Sequence, residues 1–417
     1  MSEGEQILVA GLLLAAGLSA SLLAGRLRLP SLVLFLGVGM LVGSDGFGFL
    51  EFDDYDLARE VGVVALALIL FEGGLAAGWR EVRPVLGPAL SLALVGTLVT
   101  AAIAGTAAVA LFDLTWEQGM LLGSIVASTD GAAIFALLRD SPLRRRIART
   151  LEGEAGFNDP VAVLLVLGFI EVITEDAGAL DFIGSFVQEL GIGAAVGLSA
   201  GWVAPRLARL VRLENPGLYP VASLATAAIA FGAADALHGS GFLAVYLVGL
   251  SLGDATLPAK VSVVNFHEGL AWVAQLTMFL VLGLLVFPSD LVDVALEGTV
   301  LALVIVLVAR PVATFVATPY MRFRRGQRFV LAWAGLRGAV PVVLATFPVI
   351  EGVPDSKLFF DIVFFAVVVS TILQGTTIEP LARRLGAIAP PPGAPQPRLR
   401  PRVHGLAPIF TVRPWRP

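Results

Sequence analysis

The stretch Leu151-Glu152-Gly153-Glu154-Ala155-Gly156-Phe157-Asn158-Asp159-Pro160 puts three acidic residues into a part of the chain that is otherwise apolar. Runs of about 20 apolar residues, the length that spans a bilayer, recur along almost the whole sequence, and one of them contains this stretch. A charged side chain in the middle of a bilayer costs roughly 2.5–3.5 kcal/mol on insertion scales, so an acid retained there indicates a function. The stretch therefore predicts an all-α polytopic membrane protein with an ionisable site inside one of its spans.

The composition supports the membrane class. Hydrophobic residues make up 57% of the 417 residues and charged residues 15%, and the mean hydropathy is +0.86, whereas soluble domains carry about 25% charged residues. The chain has no cysteine, which excludes disulfides and thiol-ligated metals, and its three dispersed histidines disfavour a transition-metal site. Because Met1-Ser2-Glu3-Gly4-Glu5 carries acid where a secretory signal carries base, we expect the first apolar run to be a retained span.

Hydropathy and the charged breaks between apolar runs predict thirteen transmembrane helices. They lie near 6–24, 31–49, 58–78, 85–111, 118–138, 150–172, 180–210, 219–237, 240–254, 263–287, 293–318, 328–350 and 357–384. Alternate loops then hold 19 of the 28 basic residues, while the opposite loops hold two, Arg59 and Lys357. By the positive-inside rule, this alternation predicts an external N-terminus and a cytoplasmic C-terminus.

The C-terminal segment 387–417 differs from the rest of the chain. It contains nine prolines and five arginines and no acid, a composition that predicts a disordered cytoplasmic tail outside a membrane domain of residues 1–386. The basic residues could contact anionic lipid, or the tail could be passive; the sequence leaves both readings open.

Two predicted spans are interrupted in their middle. The fifth contains Ser128-Thr129-Asp130-Gly131-Ala132-Ala133, and the twelfth contains Gly335-Leu336-Arg337-Gly338-Ala339-Val340-Pro341. They are seven spans apart, so the two units enter the membrane from opposite sides. The pattern predicts six-helix inverted repeats, spans 1–6 and 8–13, in which the discontinuous helices five and twelve cross at a transport site. Ordinary kinks at glycine and proline are the alternative.

Five acids lie in or near the spans of this central region: Glu72, Asp130, Glu152, Glu154 and Asp159. A deprotonated Asp159 offers oxygen ligands to an alkali cation, and a protonated Asp159 is neutral. One carboxylate cannot hold a cation and a proton at once, so competition predicts exchange of a monovalent cation for a proton. Because residue 158 is asparagine rather than a second acid, we expect electroneutral exchange. The alternative is that Asp159 only pairs with an arginine.

The chain resembles the NhaP-type branch of the monovalent cation:proton antiporter superfamily over about residues 5–385. The resemblance is carried by the stretches Glu152 to Pro160, Thr129-Asp130 and Gly335 to Pro341. The stretches from Gly239 to Tyr246 and from Phe266 to Trp272 are similar to its cell-volume-regulation potassium:proton antiporters. The resemblance implies a homodimer in the cell inner membrane that serves pH homeostasis and cell-volume regulation. It also implies a mobile core of spans 4–6 and 11–13, and a dimerisation part of spans 1–3 and 7–10.

The resemblance assigns roles to individual residues. Asp159 matches the ion-binding aspartate and Asn158 its neighbour, while Thr129 matches a ligand of the alkali cation at the helix crossing. Asp130 matches the acid beside it that balances the helix-end dipoles. The partners implied are K⁺ or Na⁺, the proton and the lipid bilayer, with no cofactor and no nucleic acid.

Three further positions follow from the same resemblance. Glu154 and Arg337 match a buried ion pair that holds the core together, and Glu72 matches an acid near the ion path, although a packing role for Glu72 stays open. Where the family often has serine, this chain has Ala155. The missing hydroxyl must be replaced by water, Thr129 or a backbone carbonyl, and a looser ligand shell favours potassium.

Several readings remain open from the sequence. Arg310, before Pro311, either neutralises carbonyls freed by the proline or snorkels to the membrane surface. His267 and Glu268 either sense pH or form a solvated loop pair. A channel would also place acids along a pore, and Asp130 with Asp159 could imitate an aspartyl protease dyad. The chain contains no nucleotide-binding loop and no Ser-His-Asp arrangement, so we expect a transporter and not an enzyme.

Overall fold

The structure, a computed structural model, describes residues 2–27, 31–129, 143–175, 177–211 and 213–388, and this part of the chain is almost entirely helical. We number the principal helices α1 to α14. They are α1 Glu3–Leu27, α2 Ser31–Val42, α3 Tyr55–Ala77, α4 Trp79–Phe112, α5 Trp116–Ala127, α6 Arg145–Glu175, α7 Ala179–Leu210, α8 Leu218–Ala236, α9 Gly241–Asp254, α10 Lys260–Leu284, α11 Ala295–Ala317, α12 Arg325–Trp333, α13 Ala339–Ile350 and α14 Ser356–Arg384.

Nine of the helices among the described residues are long and apolar enough to cross a membrane, namely α1, α3, α4, α6, α7, α8, α10, α11 and α14. Shorter apolar helices lie at Val33–Val42, Gly241–Asp254 and Ala339–Ile350. The prediction of a polytopic helical membrane protein is therefore confirmed. The layout of thirteen spans stays a prediction.

Some boundaries differ from those predicted. The second predicted span, 31–49, is helical only as far as Val42, after which the chain turns. The basic segment that was expected to be a loop before the sixth span is helical from Arg145 onward. Helix α5 ends at Ala127, and residues 130–142 of the fifth predicted span and the loop after it lie outside the described residues. The predicted tail lies outside them as well, except for residues 387 and 388.

The twelfth predicted span is two helices, α12 and α13, separated by the non-helical residues 334–338. Such a break is tolerated at membrane depth only where protein groups satisfy the freed backbone. Helix α14 supplies these groups, because the Gln374 side chain donates to the carbonyl of Trp333 at 2.9 Å and the Thr371 hydroxyl donates to that of Arg337. The polar side chains of α14 therefore stabilise the interruption.

Helices α4 and α11 share an irregularity. Each contains a five-residue π-helical segment, Leu92–Gly96 in α4 and Ile305–Ala309 in α11, a distortion that is rare and frequent at functional sites. The two helices are neighbours, and the Ser91 hydroxyl of α4 donates to the Ala317 carbonyl of α11 at 2.7 Å. They are the fourth and eleventh helices, and the fifth and twelfth spans are the two that the sequence predicts to be interrupted.

Burial divides the helices into two groups. Within the stretch of α6 that is apolar enough to span a membrane, 72% is buried inside the protein. The corresponding share is 17% in α1 and 11% in α7. A second, smaller hydrophobic cluster joins the start of α6 to α12 and the end of α14, and it includes Leu151, Ala155, Leu331 and Ile378. Helix α6 is thus the central helix of the bundle, and α1 and α7 present apolar faces outward.

Candidate functional site

The candidate site lies where α5 ends against the middle of α6. Beyond Ala127 the backbone becomes extended at Ser128, and both Ser128 and Thr129 are fully buried. The Ser128 hydroxyl donates to Asp159 Oδ1 at 2.8 Å, and the Asn158 amide donates to the Thr129 hydroxyl. The structure therefore brings together three of the predicted site residues, Thr129, Asn158 and Asp159, and adds Ser128.

The site is almost completely shielded from solvent. Asn158 and Asp159 are each 1% exposed, and Asn158 Oδ1 has no hydrogen-bond partner among the described residues. A buried polar oxygen without a partner costs free energy, so its presence in a native structure calls for an explanation. Together with the Asp159 carboxylate and the two hydroxyls it forms a set of oxygen atoms, which are the ligands that hard cations prefer.

The outcome differs for two other predicted site residues, Asp130 and Glu72. Asp130 lies outside the described residues. Glu72 lies in α3 and is partly buried, directly after Phe71, whose ring packs edge-on against His267 at 4.7 Å. Its part in the cation site stays a prediction.

A buried charge cluster lies beside this site, on helices α6, α11 and the break between α12 and α13. Arg310 Nη1 is 2.5 Å from Glu154 Oε1, and neither side chain is more than 3% exposed. Arg337 Nη1 donates instead to the carbonyls of Ala127 and Ser128. The pairing of Glu154 with Arg337 expected from the resemblance is thus corrected, because Arg310 occupies that place and Arg337 binds the carbonyl end of α5.

Gly335 makes room for the Arg310 side chain. A Cβ at position 335 would overlap Arg310 Nε and lie 2.8 Å from its Cζ. A third arrangement replaces the two expected for Arg310, since its guanidinium is buried away from the membrane surface and, among the described residues, pairs with Glu154 and not with carbonyls. It packs on the backbone of the broken helix and pairs with the central helix.

Comparison with known proteins identifies the family at this point. A profile described as sodium/hydrogen exchanger, transmembrane, matches residues 11–384. The chain belongs to this family. Cation:proton antiport is accordingly the activity of the chain, and its homologues are transporters, not enzymes.

The relatives of this exchanger cover most of its length. The chain is 43% identical to the K(+)/H(+) antiporter NhaP2 of Shewanella baltica over 393 residues, which are 93% of this chain and 68% of that protein. It is 40% identical to the K(+)/H(+) antiporter NhaP of Alkalimonas amylolytica, with the same shares covered, and 28% identical to the Na(+)/H(+) antiporter NhaH of Halobacillus dabanensis, with 90% and 97% covered.

A solved structure shares the fold of the exchanger. The sodium proton antiporter MjNhaP1 from Methanocaldococcus jannaschii, solved at pH 8, superposes with a TM-score of 0.77 over 90% of this chain and 100% of that one, at 23% identity. At this identity the comparison shows the fold alone. The suspected resemblance to NhaP-type antiporters is confirmed by these findings together.

His267 of the exchanger is not part of a solvated loop. It is 1% exposed within α10, and its Nε2 lies 2.8 Å from the Ser223 hydroxyl of α8. The rings of Phe71 and Phe266 pack against it edge-on. The solvated-pair reading of His267 is therefore wrong, and the pH-sensing reading stays untested.

A second ionic cluster, which the sequence did not indicate, lies at the start of α6. Arg145 and Arg149 both contact Glu81 of α4, the latter at 3.1 Å, and Arg149 also pairs with Glu152 at 2.6 Å. Glu152 is 8% exposed and lies seven residues before Asp159. The spacing of arginine and acid by three residues along α6 was the available signal, but the part played by Glu81 depends on the fold.

Proposed function

We propose that the chain is an electroneutral antiporter in which one K⁺ or Na⁺ and one proton compete for Asp159. The observation that carries the proposal is the position of the Asp159 carboxylate. It is buried in the most enclosed helix, and the Ser128 hydroxyl, just past the end of α5, donates to one of its oxygens. Few other arrangements explain an acid kept at this depth.

The arrangement can serve either occupant. With Asp159 deprotonated, an alkali cation meets the carboxylate, the Asn158 Oδ1 oxygen and the hydroxyls of Ser128 and Thr129. A hydroxyl can donate in one rotamer and offer a lone pair in another, so Ser128 can turn from Asp159 to the cation. With Asp159 protonated, the carboxyl is neutral and no longer attracts a cation. Either loaded form can cross the membrane, which couples the two fluxes.

The stoichiometry follows from Asn158. The amide at this position donates to Thr129 and carries no charge, so the Asp159 site exchanges one positive charge for another. Electroneutral exchange is expected to proceed at the same rate with and without an imposed membrane potential. A potential that develops during K⁺-driven proton movement in sealed liposomes would refute this part of the proposal.

Potassium is the cation that we favour. The relatives of 40–43% identity are named as K(+)/H(+) antiporters, and the relative of 28% identity as a Na(+)/H(+) antiporter. Position 155 adds support, because Ala155 is fully buried and brings no hydroxyl to the turn before Asp159. A shell with fewer protein ligands favours the ion that loses its water more readily.

The architecture that goes with this function is proposed on the same basis. The end of α5 and the break between α12 and α13 touch through Arg337. The π-helical segments in α4 and α11 lie seven helices apart, the same interval as between the fifth and twelfth predicted spans, which supports six-helix inverted repeats within thirteen spans. Helices α4–α6 and α11–α14 would form the mobile core. The outward apolar faces of α1 and α7 suit a homodimer in the inner membrane, with the C-terminus cytoplasmic and a role in cell-volume and pH homeostasis.

The test is dye-reported proton exchange in proteoliposomes with K⁺ or Na⁺ on one side. Wild type is expected to exchange, with the half-saturating cation concentration rising as the pH falls because protons compete. Asp159→Asn is expected to abolish exchange with either cation, and Asp293→Asn, at an exposed site, serves as the matched control. Retained exchange in Asp159→Asn would refute the proposed mechanism. Cation flux without proton flux would support a channel instead.

A further inference from the structure

Tyr246 carries a polar group that the proposed mechanism does not use. The residue lies in α9, is completely buried, and its hydroxyl has no hydrogen-bond partner among the described residues. An unpaired hydroxyl in an apolar interior is costly, and tyrosine hydroxyls normally find a partner when they are buried. This hydroxyl therefore calls for a partner other than the described residues, such as water or a bound ligand.

The hydroxyl end of the ring rests directly on α6. Gly156 has no side chain, and a Cβ there would overlap the Cζ atom of Tyr246 and the two Cε atoms beside it. The ring also packs edge-on against Phe157, with ring centres 5.1 Å apart. Because the hydroxyl is bonded to Cζ, the tip of the tyrosine lies over the backbone of α6 at position 156.

Position 156 lies between two acids on the same face of α6. Glu152, Gly156 and Asp159 follow the spacing of four and three residues that lines up one side of a helix. The hydroxyl is thus placed one helical turn from Asp159, on the side of α9.

The neighbouring sector of the same turn, at Ala155, brings no hydroxyl. Ala155 packs into the small apolar cluster with Leu331 and Ala334, and it offers no hydroxyl to an ion at Asp159. Position 155 is one turn before Asp159, as position 156 is, so a group held over Gly156 can approach an ion at Asp159 from the next sector around the helix. An entering cation would give the Tyr246 oxygen the partner that it lacks.

We propose that the Tyr246 hydroxyl is a cation-binding group of the Asp159 site, which contacts the bound K⁺ directly or through one of its waters. It approaches the ion beside the sector that Ala155 leaves without a hydroxyl, and it does not fill that sector. The proposal rests on the function proposed above and assigns one further ligand to that same site. It also explains why α6 has glycine at the position that the ring covers.

The test compares wild type, Tyr246→Phe and Tyr320→Phe in the proteoliposome assay. Phenylalanine keeps the ring against Gly156 and removes only the oxygen, and Tyr320 is 94% exposed and serves as the matched control. We expect Tyr246→Phe to raise the half-saturating K⁺ concentration about five-fold, the factor for one hydrogen bond of ~1 kcal/mol, with little change in the maximal rate. Tyr320→Phe should match wild type.

A second measurement is independent of transport. The K⁺ concentration that half-maximally raises the melting temperature in detergent should increase by the same factor in Tyr246→Phe. Without K⁺, this variant should melt no lower than wild type, because an unpaired buried hydroxyl has been removed. Unchanged half-saturation in both assays would overturn the proposal while wild-type exchange still stood. Absence of exchange in wild type would instead refute the proposed function.

Discussion

The ion pair between Arg310 and Glu154 is the contact whose loss we expect to cost most. The two charges are 2.5 Å apart and no more than 3% exposed, and Arg310 packs on Gly335, where a Cβ would overlap its Nε. Replacing Arg310 by methionine keeps a long side chain and removes the charge. Glu154 then remains buried without its closest cation.

The size of the effect follows from burial. Removing one partner of a buried ion pair costs about 3–5 kcal/mol, because an uncompensated charge is left behind. The exposed pair of Arg383 and Glu379 in α14 has nearly the same separation, 2.6 Å, but its side chains are 62% and 57% exposed. An exposed pair four residues apart on a helix contributes about 0.3–0.5 kcal/mol. Two ion pairs of nearly equal length are thus expected to differ about tenfold in their contribution to the free energy of unfolding.

The assay is thermal unfolding in detergent, followed by tryptophan fluorescence, for Arg310→Met, Arg383→Met and the double variant Glu154→Gln/Arg310→Met. We expect a large loss of stability in the first, almost none in the second, and recovery of a substantial part in the third because the orphaned charge is gone. An Arg310→Met variant as stable as Arg383→Met, or no recovery in the double variant, would refute the reasoning. Arg337→Met tests the alternative pairing of Arg337 with Glu154. Glu154→Gln should restore as much stability to Arg337→Met as to Arg310→Met only if Arg337 were the partner of Glu154.

Three other changes test the packing and charge of the site. Asn158→Asp adds a second carboxylate, so we expect transport to become electrogenic and a potential-sensitive dye to respond; a silent dye with active transport would contradict this. Gly156→Ala drives a methyl group into the Tyr246 ring, and we expect a loss of about 1–3 kcal/mol in thermal unfolding, which a smaller side chain at 246 should relieve. Gly335→Ala displaces the Arg310 guanidinium, and its melting temperature should fall toward that of Arg310→Met; a wild-type value would show that the loop gives way freely.

Much of the fold could be predicted because hydropathy is a local property of the sequence. Lipid replaces water around the apolar runs, so their length and spacing alone indicate helices. The interruption at residues 334–338 was also predictable, because Gly335, Gly338 and Pro341 all disfavour a continuous helix and a charge stands between them. The early end of α2 at Val42 was missed, although Gly43, Ser44, Asp45 and Gly46, which follow it, are typical turn residues.

The Asp159 site could be predicted in outline for a similar reason. Asn158 and Asp159 are neighbours in the sequence, and an acid in an apolar span is conspicuous. Ser128 was missed because its role depends on the backbone leaving the helix at Ala127 and pointing a short side chain at α6. A serine at a helix end is common, and only the fold shows what it faces.

The arginines show the limit of pairing by sequence. Arg310 was expected to relate to carbonyls or to the membrane surface, and Arg337 to Glu154, but the structure exchanges these roles. Which of two buried arginines meets one glutamate depends on the crossing of three helices and on the space left by Gly335, and no interval along the chain encodes that. The residues of the buried charge cluster were predictable, but which arginine pairs with Glu154 was not.

Arg337 holds the end of α5 through the carbonyls of Ala127 and Ser128, and its own carbonyl is held by Thr371 of α14. The end of α5, the break between α12 and α13, and α14 are thereby joined at one residue, and the first of these contacts Asp159 through Ser128. If the proposed core moves as one unit, an ion site held in this way keeps its geometry during the movement. In the proposed mechanism the core reorganises only the contacts along its outside, and among these the contact of Tyr246 with Gly156 is the one whose loss would remove a proposed ligand of the ion.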